Sequence, residues 1–452
     1  MNALTLHAQR MNATKVIALL VIGFTVGCST SSVAAAESWT FERVISYALT
    51  NSPDVRLAQQ RMAAAQAGLR QANAAFMPQL QFQSSYLRTD NPMMVFGSAL
   101  NQRSFSFGMD FNDVPDADNL NVKGQLAMPL YAGGRLAAGR HAAKANTEAA
   151  KQNAEGVRNA LAFEVARAFH TVLKTREFII ATEAAVRSFT NNLAIANQRL
   201  NAGTLLKADA LDVEVRLAQA REDLVRARSA HELAARALRN LLGIDQGEFE
   251  VTDLAPTVTA PASGDFSQRP ELAASRERQR AAEAEVRRTQ AGHLPSLNAF
   301  GSLDYDYGWR FDGDGKSYTA GVMLQWDLWD GNLTRAKVQE ARANLESAHE
   351  EDRKLRLGLD LEVEQARLGL REATERLAVT EKVINQATES VELTRSRFEQ
   401  GLAIPTQLID AETALTTARV RRAEAETDQR IAIAALRKAL GLPQLDPTTP
   451  NR

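Results

Sequence analysis

SLNAFGSLDYDY (Ser296–Tyr307) and YTAGVMLQWDL (Tyr318–Leu328) decide how this chain is built. In the first, Leu297, Ala299, Leu303, Tyr305 and Tyr307 alternate with Ser296, Asn298, Ser302, Asp304 and Asp306. In the second, Tyr318, Ala320, Val322, Leu324 and Trp326 alternate with Thr319, Gln325 and Asp327. Two earlier stretches repeat the pattern. Gln79–Tyr86 sets Leu80, Phe82 and Tyr86 against Gln79, Gln81, Gln83 and Ser85, and Leu120–Leu130 sets Leu120, Val122, Leu126 and Met128 against Asn121, Lys123 and Gln125. A period of two is a strand with one apolar and one polar face. Each stretch is close to the roughly 9–11 residues with which a tilted strand crosses a bilayer. Tyr131, Trp326 and Trp329 stand near strand ends, where an aromatic girdle belongs. One such strand alone suits a half-buried soluble sheet; four together indicate part of a membrane barrel. Four strands cannot close a barrel, and lipid does not tolerate open edges, so copies of the chain must associate. Two copies give an eight-stranded barrel filled by side chains, and three give twelve strands; a duct requires three.

The rest of the chain is helical. No proline occurs between Leu130 and Ala255 or between Ser296 and Ile404, and Ala, Glu, Arg, Leu and Gln crowd both stretches. Val172, Ile179, Val186, Leu193 and Leu200 recur every seven residues, as do Leu370, Leu377, Ile384, Val391 and Phe398. Ala373, Thr380, Ala387 and Thr394 form a small-residue row beside the second set, a seam for close helix approach. A helix from Gly134 to about Leu200 would be roughly 100 Å long at about 1.5 Å per residue. On helices alone, a cytoskeletal or adaptor hairpin fits equally well.

The chain is a tandem duplication. At an offset of 198, Ala143, Asn146 and Glu148 meet Ala341, Asn344 and Glu346; Arg199, Gly203, Asp212 and Glu214 meet Arg397, Gly401, Asp410 and Glu412; Leu238 and Gly243 meet Leu436 and Gly441. At an offset of 217, Pro53, Arg61 and Pro78 meet Pro270, Arg278 and Pro295. The difference places an insertion in the first copy between Pro78 and Met128, and Asn91–Asn119 is expected to be a long loop folding over the outer mouth. Asp312–Gly315 reads as a hairpin turn, since an EF-hand would need other spacing and a Glu at its twelfth position.

Of 452 residues, 45% are hydrophobic and 24% charged, with a net charge of −1, which excludes disorder and a basic nucleic-acid footprint. The lone Cys28 excludes a disulfide framework, a cysteine zinc site and a thiol redox pair. Lys15 and the apolar run through Val26 form a signal-peptide core, with Met11 an alternative start to Met1. Two cleavage sites compete: after Ala36, giving a signal peptide over 1–36, or before Cys28, which would be lipidated and leave a signal over 1–27. Cleavage after Ala36 removes Arg10 and Lys15 and no acid, taking the net charge from −1 to −3. No other run approaches the length of a transmembrane helix.

The order of these features resembles the TolC family of outer-membrane efflux and secretion channels. The motifs are Phe41-x-x-Val44-Ile45-x-x-Ala48-Leu49-x-Asn51-x-Pro53, then Phe76-x-Pro78-x-Leu80, Pro129-Leu130-Tyr131-x-Gly133-Gly134 with its partner Trp326-Asp327-Leu328-Trp329-Asp330-Gly331, and Arg397-Phe398-x-x-Gly401 leading to Leu408-x-Asp410-Ala411. The resemblance implies a mainly α chain with membrane β: tandem helical hairpins forming a periplasmic α-barrel, and four strands per chain completing a 12-stranded barrel in a homotrimer. The expected divisions are a first outer-membrane-efflux repeat over 37–243 (strands about 79–89 and 119–130), a linker over 244–267, a second repeat over 268–443 (strands about 296–307 and 317–328) and a tail over 444–452. The implied partners are two further copies of the chain, a periplasmic membrane-fusion adaptor, an inner-membrane pump of RND, ABC or MFS type and outer-membrane lipid, with no nucleic acid. The implied place is the outer membrane of a Gram-negative bacterium, extending into the periplasm. Drug efflux, metal efflux and protein secretion all fit.

By the same resemblance the two hairpin tips form the periplasmic entrance, with Gly203, Thr204, Gly401 and Leu402 as adaptor contacts. Glycine there also supplies the left-handed residue that ends a helix. Asp410 is the candidate entrance carboxylate. Gln407 takes the place of a second aspartate, while the first copy carries Asp209 and Asp212. A solvated carboxylate on a helix face is the plain alternative. No catalytic or cofactor motif is present: the six histidines are scattered, and Gly-x-Ser-x-Gly and the phosphate-loop pattern are missing. The chain is therefore expected to be a passive duct and no enzyme, with a periplasmic coiled-coil adaptor or structural protein as the alternative.

Overall fold

The structure, a computed structural model, describes residues 38–108, 110, 113–245, 250–252, 259–261 and 264–445. The signal core and both cleavage candidates, Ala36 and Cys28, lie outside them. The first copy runs β1 (Ser38–Trp39), α1 (Phe41–Asn51), α2 (Pro53–Ala74), β2 (Gln79–Thr89), α3 (Pro92–Asn101), β3 (Ala117–Ala132), α4 (Arg135–Asn201) and α5 (Lys207–Leu242). After β4 (Glu250–Val251) the second runs α6 (Pro270–Gln290), β5 (Ser296–Gly308), β6 (Gly313–Gln325), α7 (Leu333–Glu399) and α8 (Pro405–Ala439). α4 and α7 are each 67 residues long. Proline-free runs rich in Ala, Glu, Arg and Leu carry them that far, through Gly139 and Gly156 in α4 and Gly358 and Gly369 in α7. Among the described residues no helix is long and apolar enough to cross a membrane.

β2, β3, β5 and β6 form one antiparallel sheet in that order, joined between the copies by β3 and β5. The register places Gln83, Lys123, Asp304 and Ser317 in one row across it. The Lys123 ammonium pairs with Asp304 at 3.5 Å, and Asn119 and Asn121 donate to the Asp306 carboxylate at 2.6 and 3.0 Å. These pairs mark a continuous polar face. The opposite face carries Leu80, Phe82, Leu303 and Tyr318, exposed by 80%, 74%, 70% and 79%. Nothing among the described residues covers that apolar surface.

The main core lies where the copies' helices converge. Phe41, Val44 and Ile45 of α1 pack with Leu161, Val165 and Phe169 of α4 and with Leu238 and Leu242 of α5. The Thr40 hydroxyl caps α1, and β1 pairs in parallel with β4 beside it.

Three expectations change. The fourth strand is Gly313–Gln325, earlier than 317–328, so Trp326 and Trp329 lie beyond its end. Asp312–Gly315 is not the hairpin turn: Gly308 pairs with Gly313, and the turn is 309–312, with Asp312 at φ 43°. The alternation between Tyr318 and Trp326 continues past the last ladder residue, which hid the true end. Asn91–Asn119 is not a plain loop: it contains α3 and the start of β3. Asn91 accepts from the Met93 and Met94 amides and Pro92 opens the first turn, a start signal readable as Asn-Pro.

Candidate functional site

The two long helices end in the same way. Gly203 and Gly401 adopt φ 69° and 80°, the left-handed region that glycine enters without strain. At the first tip Thr204 N–H returns to Arg199 O at 2.9 Å; at the second, Leu402 N–H returns to Arg397 O at 2.8 Å. These are the reciprocal bonds of a helix-ending turn. α5 and α8 each start three residues later, α8 with Pro405 in its first turn.

The tips sit side by side and enclose an open groove. Gly203, Thr204, Asp209, Gly401, Leu402 and Gln407 line it, so six of the eight tip residues singled out in the sequence come together. Leu206, Leu402 and Ile404 are exposed there by 72%, 66% and 60%. Asp212 and Asp410 lie outside the groove, exposed on the second turns of α5 and α8.

Sequence reasoning missed what holds the tips together. The Arg199 guanidinium donates to Phe398 O at 3.1 Å and to Thr204 O at 3.5 Å, and stacks 5.2 Å from the Phe398 ring. One side chain of α4 thus fastens the last turn of α7 to the first tip. Phe398 is fully buried against Ile195, Ala403 and Leu408. Further from the tips, Ser188 of α4 donates to Glu412 of α8 at 2.6 Å. Arg395 of α7 donates to Ser188 at 2.8 Å and pairs with the same Glu412 oxygen. Glu412 is 4% exposed, so its charge is held by this pair and not by water. Three helices from both copies are tied at one carboxylate. The only sequence signal was the matched pair Glu214 and Glu412, which did not say which of them would be buried.

Among the described residues, no group of three or more His, Cys, Asp or Glu side chains could hold a metal. His170 is buried beside Phe41 and Phe169, and burial, with Arg430 nearby, pushes its imidazole down to about 4. It belongs to the core.

The sequence profile of outer membrane efflux proteins matches residues 44–244 and 266–442. The chain is 26% identical over 305 residues to the alkaline protease secretion protein AprF of Pseudomonas aeruginosa, covering 62% of this chain and 61% of that protein. It is 24% identical over 343 residues to the outer membrane protein OprJ of the same organism, covering 70% of this chain and 69% of OprJ. The match thus spans about three fifths of the first relative's length. Among solved structures, the outer membrane protein VceC of Vibrio cholerae superposes with a TM-score of 0.75 at 19% identity, covering 90% of this chain and 97% of that one.

Proposed function

The chain belongs to the outer membrane efflux protein family, and on that premise we propose that it is the trimeric exit duct of a tripartite efflux or type I secretion system. Its place is the Gram-negative outer membrane, with the helices reaching into the periplasm. The observation that carries the duct reading is the sheet: antiparallel, apolar on one face, polar on the other, and, among the described residues, unpaired at both edges, β2 and β6. In lipid those edges must pair, and β6 of one copy with β2 of the next is the pairing that closes a ring. Three copies give twelve strands with the Lys123–Asp304 row inward. The exposed leucines of α7, among them Leu357, Leu361 and Leu368 at 66%, 57% and 51%, are then covered by the neighbouring copy.

The polar wall of Gln, Asn, Ser and Thr suits hydrated cargo of many kinds, so selection falls to an inner-membrane pump. The groove at the tips, with its exposed Leu206, Leu402 and Ile404, is the surface proposed for a periplasmic adaptor. Asp410, exposed on α8, is proposed as a carboxylate ring at the entrance. Detergent extraction with mass measurement tests the duct: a trimer is expected, and a monomer or recovery from the soluble periplasm overturns it. Asp410→Asn should lower the cation preference of single channels without reducing trimer yield. Unchanged preference would put Asp410 on an outer face.

A further inference from the structure

The insertion of the first copy is seated in the sheet's polar face. α3 is finished at both ends: Asn91 caps its start, and Arg103, at φ 55°, turns the chain so that Ser104 N–H returns to Ala99 O at 2.9 Å. The next anchor is Gln102, which is 1% exposed. Its amide donates to Asp118 O at 2.7 Å and to Asn119 Oδ1 at 2.9 Å. Asn119 stands in the polar row with Asn121 and Lys123.

Three glycines form the socket. By register Gly308, Gly313 and Gly315 fall in the row of Asp306 and Ser317, so any side chain there would point from the polar face. A Cβ at Gly308 would strike the Gln102 side chain, one at Gly315 would strike Asn101 O, and one at Gly313 would lie 2.7 Å from Gln102 O. Arg103 adds a bond to Lys316 O at 3.2 Å. The segment therefore lies on the lumen side, at the end of the strands far from the long helices, and Val95, Ser98 and Ala99 face the sheet.

Its other side is apolar. Met93, Met94, Leu100 and Phe107 are exposed by 77%, 45%, 47% and 100%. Such residues are out of place on the wall of a watery lumen, unless they meet one another. Twelve strands about 4.8 Å apart and tilted by about 40° enclose a lumen roughly 24 Å across. A helix with its side chains is about 10 Å thick. Three helices about 10 Å thick seated on that wall come within about 2 Å of the axis, close enough for their exposed side chains to meet.

We propose that α3 and Phe107 of the three copies pack against each other on the three-fold axis and seal the outer end of the duct with an apolar plug. The inference rests on the trimeric barrel proposed above. A dewetted apolar constriction stops ions and water without any charged gate, and it closes the end opposite to the Asp410 mouth. Displacing the plug requires cargo or a movement of the strands, because Gln102 and the glycine socket fix its base.

The test uses the full-length protein. Met93→Cys and Phe107→Cys, treated with a short bismaleimide in membranes, should each yield covalent dimers within trimers. The parent, carrying only Cys28, and Val322→Cys on the apolar face should yield none. A trimer by mass without cross-links at either position overturns the plug alone; a monomer overturns the duct and the plug with it. In intact cells, Gln125→Cys on the lumen row should react slowly with an impermeant maleimide added outside. Adding Met93→Ser, Met94→Ser and Phe107→Ser should speed that labelling on the order of tenfold. Equal rates would mean that the outer end is open, and would overturn the plug whatever the state of the periplasmic mouth.

Discussion

His170 and Leu368 occupy the same place in the two copies, 198 residues apart, and their environments are the reverse of their polarity. The histidine of α4 is 7% exposed and the leucine of α7 is 51% exposed. α4 packs along its length against α1, α2, α5, α6 and α8, whereas α7 packs along its length against α6 and α8 and meets α4 near its last turns, through Arg395–Ser188 and Phe398. Two helices of equal length and common origin thus differ in who covers them. α4 is buried by its own chain; much of α7 and of the apolar face of the sheet stays exposed in it. Burial here follows from which elements lie across a helix and not from residue type.

The sharpest way to break that comparison is to delete apolar mass from each helix. Phe169→Ala, at a fully buried site of α4, should cost about 3–5 kcal/mol in denaturant unfolding. Leu368→Ala should change the stability of the dissociated protomer by less than about 0.5 kcal/mol, yet lower the temperature at which trimers separate on gels. If both act alike on the protomer, Leu368 is covered within its own chain.

The sheet gives the next largest contrast. Val122→Arg, on the apolar face, should cost about 2–4 kcal/mol near the bilayer midplane and reduce trimer assembly. Lys123→Gln, one residue away on the polar face, should assemble normally. Equal damage from both would reverse or abolish the assignment of faces.

The matched glutamates test the same idea with charge. Glu412→Ala leaves Arg395 and Ser188 without their shared acceptor and should cost about 1.5–3 kcal/mol. Glu214→Ala, at an exposed site, should stay within about 0.5 kcal/mol. Thermal unfolding of the two variants side by side would show it.

The smallest effect concerns His170. Burial holds its folded-state value near 4, against 6.5 in the unfolded chain. Between those values the unfolded chain binds the extra proton, so stability is full above pH 6.5 and falls as pH drops toward 4. The loss should be about 1 kcal/mol at pH 5.5 and absent at pH 7.5, as the difference between the parent and His170→Phe. A flat difference across that range would mean that the imidazole is hydrated.

The tips show how much of a site can be read in advance. Gly203 and Gly401 were legible because a left-handed residue at a helix end has a residue signature. The fastening of the tips by Arg199 to Phe398 O, and the Ser188–Arg395–Glu412 cluster, were not. Ser188 and Arg395 stand 207 residues apart, and nothing local to either announces the other. The end of β6 was misread for the opposite reason: the alternation of Tyr318 to Trp326 outruns the hydrogen-bonded ladder.

The sequence by itself determined the duplication, the two 67-residue helices and the faces of all four strands. Each of these follows from periodicity, which a chain carries locally. Only the tertiary structure decided that α4 and not α7 is the buried helix, that Glu412 and not Glu214 loses its water, and that the end of α3 seats on Gly308, Gly313 and Gly315 of the polar face. Those depend on which element lies across from which, and two copies of one pattern cannot occupy the same surroundings in a single chain.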